Sequence, residues 1–321
     1  MINIFITYRC NLSCPYCFAR DLQKDFPQDM SGETFRLLLN WMRRAGVNTA
    51  AFIGGEPTLH PGLVQMVQET AASGIAVTLF TNGLSPAELT EQLIPHIDNF
   101  VINCNSRSIY PSESTFERFH DNLRLLQAKG ARVTLSKNFA PDDLDHDYLL
   151  ETAQSYQIKA IRYDFSRPAS SATNTFFPAE KTGTLMASTL SFVRKCEELD
   201  IKTGLDCCMK FCDVSPEELS YLRKVSMKLT GICHPSVDIH PDLSASYCLP
   251  MRHITVDDVT EFSGVDWLIY HFSNAVREMR FKNTDQKCNT CPDFMRKCQG
   301  GCLASRQPAP TSNCNSTPTI A

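Results

Sequence analysis

No stretch of the 321-residue chain approaches eighteen consecutive apolar residues, so no membrane-spanning helix is expected. No run of lysines and arginines interrupts it either. With 31 basic residues against 35 acidic ones the net charge is −4, which argues against a nucleic-acid partner. The opening MINIFITYRC carries no basic segment and no small-residue cleavage site, so no secretory signal is read there and a cytoplasmic location is expected. What the chain holds in excess is cysteine, 15 residues. In a reducing compartment that number points to metal or redox chemistry rather than to a disulfide scaffold. Three lie at 10–17, three at 207–212 and seven between 233 and 314. Cys104 and Cys196 stand apart and read as buried thiols acting as small apolar residues.

Apolar runs alternate with amphipathic segments as far as residue 200. Strands are predicted at 2–8, 49–53, 76–81, 100–104, 132–136 and 160–165. Helices are predicted near 32–45, 62–73, 86–96, 114–129, 145–156 and 184–199. Ser31 and Ser85 read as helix caps, and Gly46, Gly74 and Gly130 as residues that end helices. Six β-α units in a row predict a parallel sheet with right-handed crossovers, an α/β partial (β/α)6 TIM-like barrel. The segment 166–183, rich in Ser, Thr, Ala and Pro, reads as a long loop over the barrel. Past residue 200 the β-α rhythm is expected to fail. Two domains result, a barrel over 1–200 and a small cysteine-rich extension over 201–321, with a short hairpin around His240-Pro241-Asp242-Leu243-Ser244.

Cys10, Cys14 and Cys17 follow the first strand with the spacing C-x3-C-x2-C. Catalytic groups of such barrels gather at the C-terminal ends of the strands, so these thiols sit at the mouth. Three thiolates on a four-iron cluster leave one iron free for another ligand. A three-cysteine zinc site completed by a distant histidine has the same spacing. Gly54-Gly55-Glu56-Pro57 follows the second strand, where two glycines let backbone approach a ligand closely. Alone, that turn fits any tight strand-to-helix connection.

Together, Cys10, Cys14, Cys17, the aromatic Tyr16 and the turn Gly54–Pro57 resemble the radical S-adenosylmethionine (radical SAM) superfamily over about residues 2–200. The resemblance implies a [4Fe-4S] cluster whose open iron takes the amine and carboxylate of SAM. It implies reductive cleavage of SAM to methionine and a 5′-deoxyadenosyl radical that abstracts a substrate hydrogen. It gives the methionyl amine to Gly54, Gly55, Glu56 and Pro57, and the adenine to the region of Tyr16 and Phe18. Thr81 and Asn82 close strand three as a family Thr-Asn-Gly segment does. Ser136 and Asn138 fall where relatives contact ribose or carboxylate, and Arg162 where a basic residue reaches the carboxylate. The Ser-Leu-Asp-Gly-like segment of many relatives is replaced by Asn103-Cys104-Asn105-Ser106, which alters that part of the mouth. A Cys104 thiol exposed at a radical site would be a hydrogen-atom donor.

The C-terminal cysteines exceed one zinc site, and two four-iron clusters need up to eight. Their order is similar to the SPASM extension of radical SAM enzymes, which holds two auxiliary [4Fe-4S] clusters. Leu243 stands where that pattern has glycine, and six residues rather than five separate Cys291 from Cys298. The resemblance implies an inner cluster on Cys233, Cys248 and Cys302 and an outer one on Cys288, Cys291, Cys298 and Cys314. The eighth ligand is expected from Cys212, with Cys208 and Cys207 as alternatives, or the inner cluster keeps an open iron.

Such clusters span potentials of about −700 to +450 mV and can accept an electron from a substrate radical or position a substrate. Leu249 occupies the position at which the sulfatase-maturing type has an acidic residue, which argues against that type. A first strand beginning at residue 2 leaves no room for an N-terminal leader-binding module, so a peptide substrate would call for another docking surface or a separate recognition protein. The leading expectation is oxidative modification or crosslinking of a ribosomally made peptide, with electrons from a flavodoxin- or ferredoxin-type donor. A small-molecule dehydrogenase or carbon–carbon-bond-forming enzyme is the alternative. A non-catalytic iron–sulfur electron carrier is the alternative of another class, and it would have no need of the Gly-Gly-Glu-Pro turn.

Overall fold

The computed structural model describes residues 1–171, 173–178 and 181–306; Cys314 lies outside the described residues. From β1 (Ile2–Thr7) the chain runs through the cysteine loop and the short α1 (Leu22–Asp25) into α2 (Gly32–Arg44). Strands and helices then alternate: β2 (Thr49–Gly54), α3 (Leu63–Ala72), β3 (Ala76–Thr81), α4 (Ala87–Leu93), β4 (Asn99–Asn103), α5 (Glu113–Ala128), β5 (Val133–Phe139), α6 (Asp147–Ser155) and β6 (Ala160–Phe165). All neighbouring pairs from β1 to β6 are parallel and in sequence order. The mouth is therefore the edge formed by the loops after β1, β2, β3, β4, β5 and β6.

The helices form where the apolar period is 3.6 residues. In α2, Phe35, Leu38, Leu39 and Met42 fall on one buried stripe, and Ser31 caps the helix by accepting the N–H of Thr34. Gly46, Gly74 and Gly130 follow their helices at positive φ, as their positions predict. Ser85 does not cap α4. The residue before that helix is Pro86, and the Ser85 hydroxyl pairs instead with Thr90 Oγ1 at 2.7 Å.

The expected failure of the rhythm at residue 200 is corrected by the structure. After α7 (Thr182–Glu198) come β7 (Lys202–Leu205), α8 (Pro216–Val225) and β8 (Ser226–Lys228), both strands parallel to the sheet. These strands have four and three residues, too few for a period to register. The signal within reach was Ser215-Pro216-Glu217-Glu218, which forms a capping box with proline in the first turn. The hairpin is present as β9 (Asp238–Ile239) and β10 (Ala245–Ser246), followed by β11 (Thr255–Val256) and α9 (Val265–Ala275). β9 pairs in parallel with β1, so the hairpin extends the same sheet on the other side of β1. Trp41 donates to the carbonyl of Phe262 at 2.8 Å, which fastens this extension to α2. Among the described residues no helix is long and apolar enough to cross a membrane.

Candidate functional site

Cys10 is exposed and Cys14 and Cys17 are half-buried on the loop after β1. Burial pushes all three thiols above their ordinary value, Cys14 to about 12, and each of Cys10 and Cys14 is raised further by the charge of Cys17. Among the described residues no three Cys, His, Asp or Glu side chains group as the ligands of one ion would. A four-iron cube instead takes each thiolate at a separate corner. Under Cys17 lies a small apolar cluster of Phe5, Tyr8, Ala19, Leu22 and Leu249, against which Phe18 packs. Leu249 is thus a buried side chain, with no proton-accepting atom to offer the mouth.

The Gly-Gly-Glu-Pro turn is docked onto this loop. Gly55 N–H donates to Thr7 O at 2.9 Å and Glu56 N–H to Arg9 O at 2.8 Å. A Cβ on Gly54 would lie 2.1 Å from Thr7 O, and one on Gly55 2.2 Å from Arg9 O. The glycines therefore admit the chain's own cysteine loop, where the sequence suggested room for a ligand. Glu56 is 1% exposed. Its Oε1 accepts from Thr58 N–H and from the hydroxyls of Thr58 and Thr81, and its Oε2 from Asn82 N–H at 2.7 Å. Burial raises this carboxyl above its ordinary value. Thr81 and Asn82 thus hold Glu56, and Asn82 also donates to Asn11 at 2.6 Å, tying the turn after β3 to the cysteine loop.

Tyr16 is buried beside Cys14, its hydroxyl donating to Asn105 Oδ1 and accepting from Asn103 Nδ2 at 2.7 Å. This is what the altered segment after β4 does: two amides hold the tyrosine. Cys104 lies on the opposite face of the strand, by Thr152 and Lys137, with burial pushing its thiol to about 12. It faces the helices, away from the mouth, as a structural thiol does. Ser136 and Arg162 are register partners on β5 and β6 and are hydrogen-bonded at 2.8 Å. Arg162 also pairs with Asp206, after β7, and stacks its guanidinium 5.2 Å from the Phe80 ring centre. Asn138 shares the Ser136 face and is half-buried. Asn103 Oδ1, Asn105 Nδ2 and Ser166 Oγ are buried at the mouth without partners among the described residues, the kind of atoms a polar ligand there would satisfy.

The loop after β6 is not merely solvated. Asn174 Nδ2 donates to Tyr16 O at 2.9 Å, Thr175 N–H to Pro15 O at 2.9 Å, and Thr173 Oγ1 to Asp21 at 2.6 Å. It straps the cysteine loop down, and nothing in its composition announced those partners.

The C-terminal thiols fall into two groups. Cys208 lies beside Cys233, the pairing pushing the Cys208 thiol up and the Cys233 thiol down, and Cys248 and Cys302 are within electrostatic reach. Cys207 stands beside this group, near Cys302 and Asp164. The second group holds Cys288, Cys291 and Cys298, and Cys212 faces Cys298. The upstream thiol beside Cys233 is thus Cys208, while Cys212 lies with the second group. Local geometry is specific: Tyr247 donates to the Cys233 carbonyl at 2.9 Å, and Gly300 N–H to Cys298 Sγ at 3.4 Å. Leu243, at the position expected to be glycine, has φ 73°, so the hairpin keeps the left-handed backbone without the residue suited to it.

Residues 4–154 match the family model described as Radical SAM superfamily. The sporulation killing factor maturation protein SkfB of Bacillus subtilis is 29% identical over 37% of this chain and 27% of its own length. The PqqA peptide cyclase of Xanthomonas campestris is 35% identical over 26% of this chain and 22% of its own. The matched segments span about a quarter of these curated relatives. Crystal structures of Streptococcus suis SuiB, bound to S-adenosylmethionine or to precursor peptide SuiA, superpose with TM-score 0.69 at 16% and 15% identity. They cover 94% of this chain and 72% and 71% of theirs, and share its fold, a partial TIM-like α/β barrel, which in this chain is followed by a cysteine-rich C-terminal region.

Proposed function

We propose, from the radical SAM domain carried by residues 4–154, that this chain is a radical SAM enzyme of the SPASM type that oxidatively modifies a peptide. The observation that carries the reading is the docking of Gly54–Pro57 onto the Cys10–Cys17 loop, with Glu56 buried as the tie between them. When bound, the cluster and SAM supply an electron and a 5′-deoxyadenosyl radical that removes a substrate hydrogen atom.

Cys10, Cys14 and Cys17 would hold the first cluster. A methionyl amine is a donor, so it would meet the turn's carbonyls; the N–H groups of Gly55 and Glu56 are already spent. Tyr16 and Phe18 would flank the adenine, with Asn103 and Asn105 fixing the tyrosine. Ser136, Asn138 and Arg162 would face ribose and carboxylate, Arg162 sharing its charge with Asp206. In the extension, Cys208, Cys233, Cys248 and Cys302 would hold an inner auxiliary cluster. Cys288, Cys291 and Cys298 would hold an outer one, with Cys212 or Cys314 as the fourth ligand.

The peptide reading is supported by the relatives' names: a maturation protein for a killing factor, a peptide cyclase, and a protein crystallised with a precursor peptide. A flavodoxin- or ferredoxin-type protein in the cytoplasm would supply electrons, and a separate recognition protein would present the peptide. The test is incubation of the anaerobically reconstituted protein with SAM, dithionite and the product of a short reading frame beside its gene. The expected product is the peptide lighter by two hydrogens. An unchanged peptide while 5′-deoxyadenosine still accumulates would sink the peptide reading and leave SAM cleavage standing.

A further inference from the structure

Three arginines surround the inner thiols, and two carry buried nitrogen atoms with no partner among the described residues. Arg167, just past β6, donates from Nη2 to the carbonyl of Cys208 at 3.0 Å, and its Nε is buried and unpartnered. Arg280 donates to the carbonyl of Cys233 at 3.1 Å. Arg306 hangs by Nη1 from the carbonyls of Arg280 and Lys282, at 3.3 and 3.4 Å, leaving Nε and Nη2 buried without partners. Arg167 and Arg306 both sense the charges of Cys208 and Cys302. Guanidinium N–H groups are donors only, so the orphaned atoms call for an acceptor where the thiols converge. Around the second group the charges are mixed: Asp285 stands beside Cys288 with Arg306 also in reach, and Asp213 and Lys210 both stand beside Cys212.

We propose that Arg167 and Arg306 are positioning residues that donate their free N–H groups to the sulfurs of the inner cluster and raise its reduction potential. The inference rests on the auxiliary-cluster reading above. Reduction adds negative charge to an already anionic cluster, and burial alone therefore opposes it. Fixed cations and hydrogen bonds to sulfur stabilise the reduced form and move the potential up. Asp164 partly offsets Arg167, with its carboxylate 3.7 Å from the guanidinium. This gives the proposal a second variant of opposite sign.

The test is potentiometric titration of the reconstituted enzyme followed by electron paramagnetic resonance, with iron counted in every sample. Arg167→Gln and Arg306→Gln should each move the inner cluster's midpoint to more negative potential at full iron content. Arg167→Lys, which keeps the charge, should restore most of the shift, and Asp164→Asn should move the midpoint the other way. A role confined to packing would give Lys and Gln variants the same midpoint as wild type. Unmoved midpoints with all clusters present would overturn the proposal. Iron that never exceeds one cluster in the wild type would instead overturn the auxiliary-cluster reading on which it rests.

Discussion

Gly55→Ala separates a glycine that serves the site from one that merely ends a helix. The new Cβ would stand 2.2 Å from Arg9 O and 2.6 Å from Tyr8 O. Carbon–oxygen contacts settle near about 3.3 Å, so the cysteine loop has to withdraw by about 1 Å. The contacted atoms are backbone, so no side-chain rotation relieves the clash. Withdrawal breaks the bonds from Gly55 N–H to Thr7 O and from Glu56 N–H to Arg9 O. At about 1–3 kcal/mol for each donor left buried and unmet, the loss is about 2–6 kcal/mol. Gly46→Ala is the control, since Gly46 has φ 74° and nothing within 4 Å of an added methyl, and it should cost only about 1 kcal/mol. Urea unfolding of the two apo-proteins, with iron counted after reconstitution, checks both halves. Gly55→Ala should lose the iron of one cluster while Gly46→Ala keeps all of it. If Gly55→Ala unfolds within about 1 kcal/mol of wild type and binds iron fully, the docking argument is wrong.

Leu243 is 7% exposed at φ 73°, so Leu243→Gly should be more stable than Leu243→Ala by about 1 kcal/mol, the reverse of the usual order; equal midpoints would show that the left-handed backbone stores no strain. Cys208→Ser should remove one cluster's worth of iron and the inner cluster's resonance signal, while Cys212→Ser should spare the inner signal; the opposite pattern would make Cys212 the inner ligand. Burial holds His240 at about 4, below its ordinary 6.5, so the unfolded chain takes up a proton in that window that the folded chain refuses. Its contribution to stability therefore rises with pH between about 4 and 6.5 and is lost as pH falls through the window. Relative to wild type, His240→Gln should gain about 2 kcal/mol on going from pH 7 to pH 5, and parallel pH profiles would refute the assignment.

The barrel was legible because its signals are local and repeated: 3.6-residue stripes such as Phe35-Leu38-Leu39-Met42, and glycines after helices. β7 and β8 were not, since strands of four and three residues acquire their identity from pairing with β6 and with each other. The cysteine spacing exposed the candidate site at once, but not what surrounds it. That Glu56 faces Thr81 and Asn82, or that Asn174 grips Tyr16, depends on side chains brought together from distant loops. The choice between Cys208 and Cys212 was equally invisible, because the two lie four positions apart and only the turn after β7 decides which thiol meets Cys233. Leu243 shows the converse: the backbone takes the left-handed conformation that a glycine expected at this position would favour, with a leucine in its place.

Whether Cys10, Cys14 and Cys17, with the turn docked on them, serve SAM cleavage is decided by quantifying 5′-deoxyadenosine. The protein is reconstituted anaerobically with iron and sulfide and then given dithionite and SAM, as wild type and as Cys14→Ala. The wild type should release 5′-deoxyadenosine, and Cys14→Ala should release none while keeping its auxiliary iron. A wild-type sample with all its clusters intact and no 5′-deoxyadenosine would overturn the radical SAM assignment of this site.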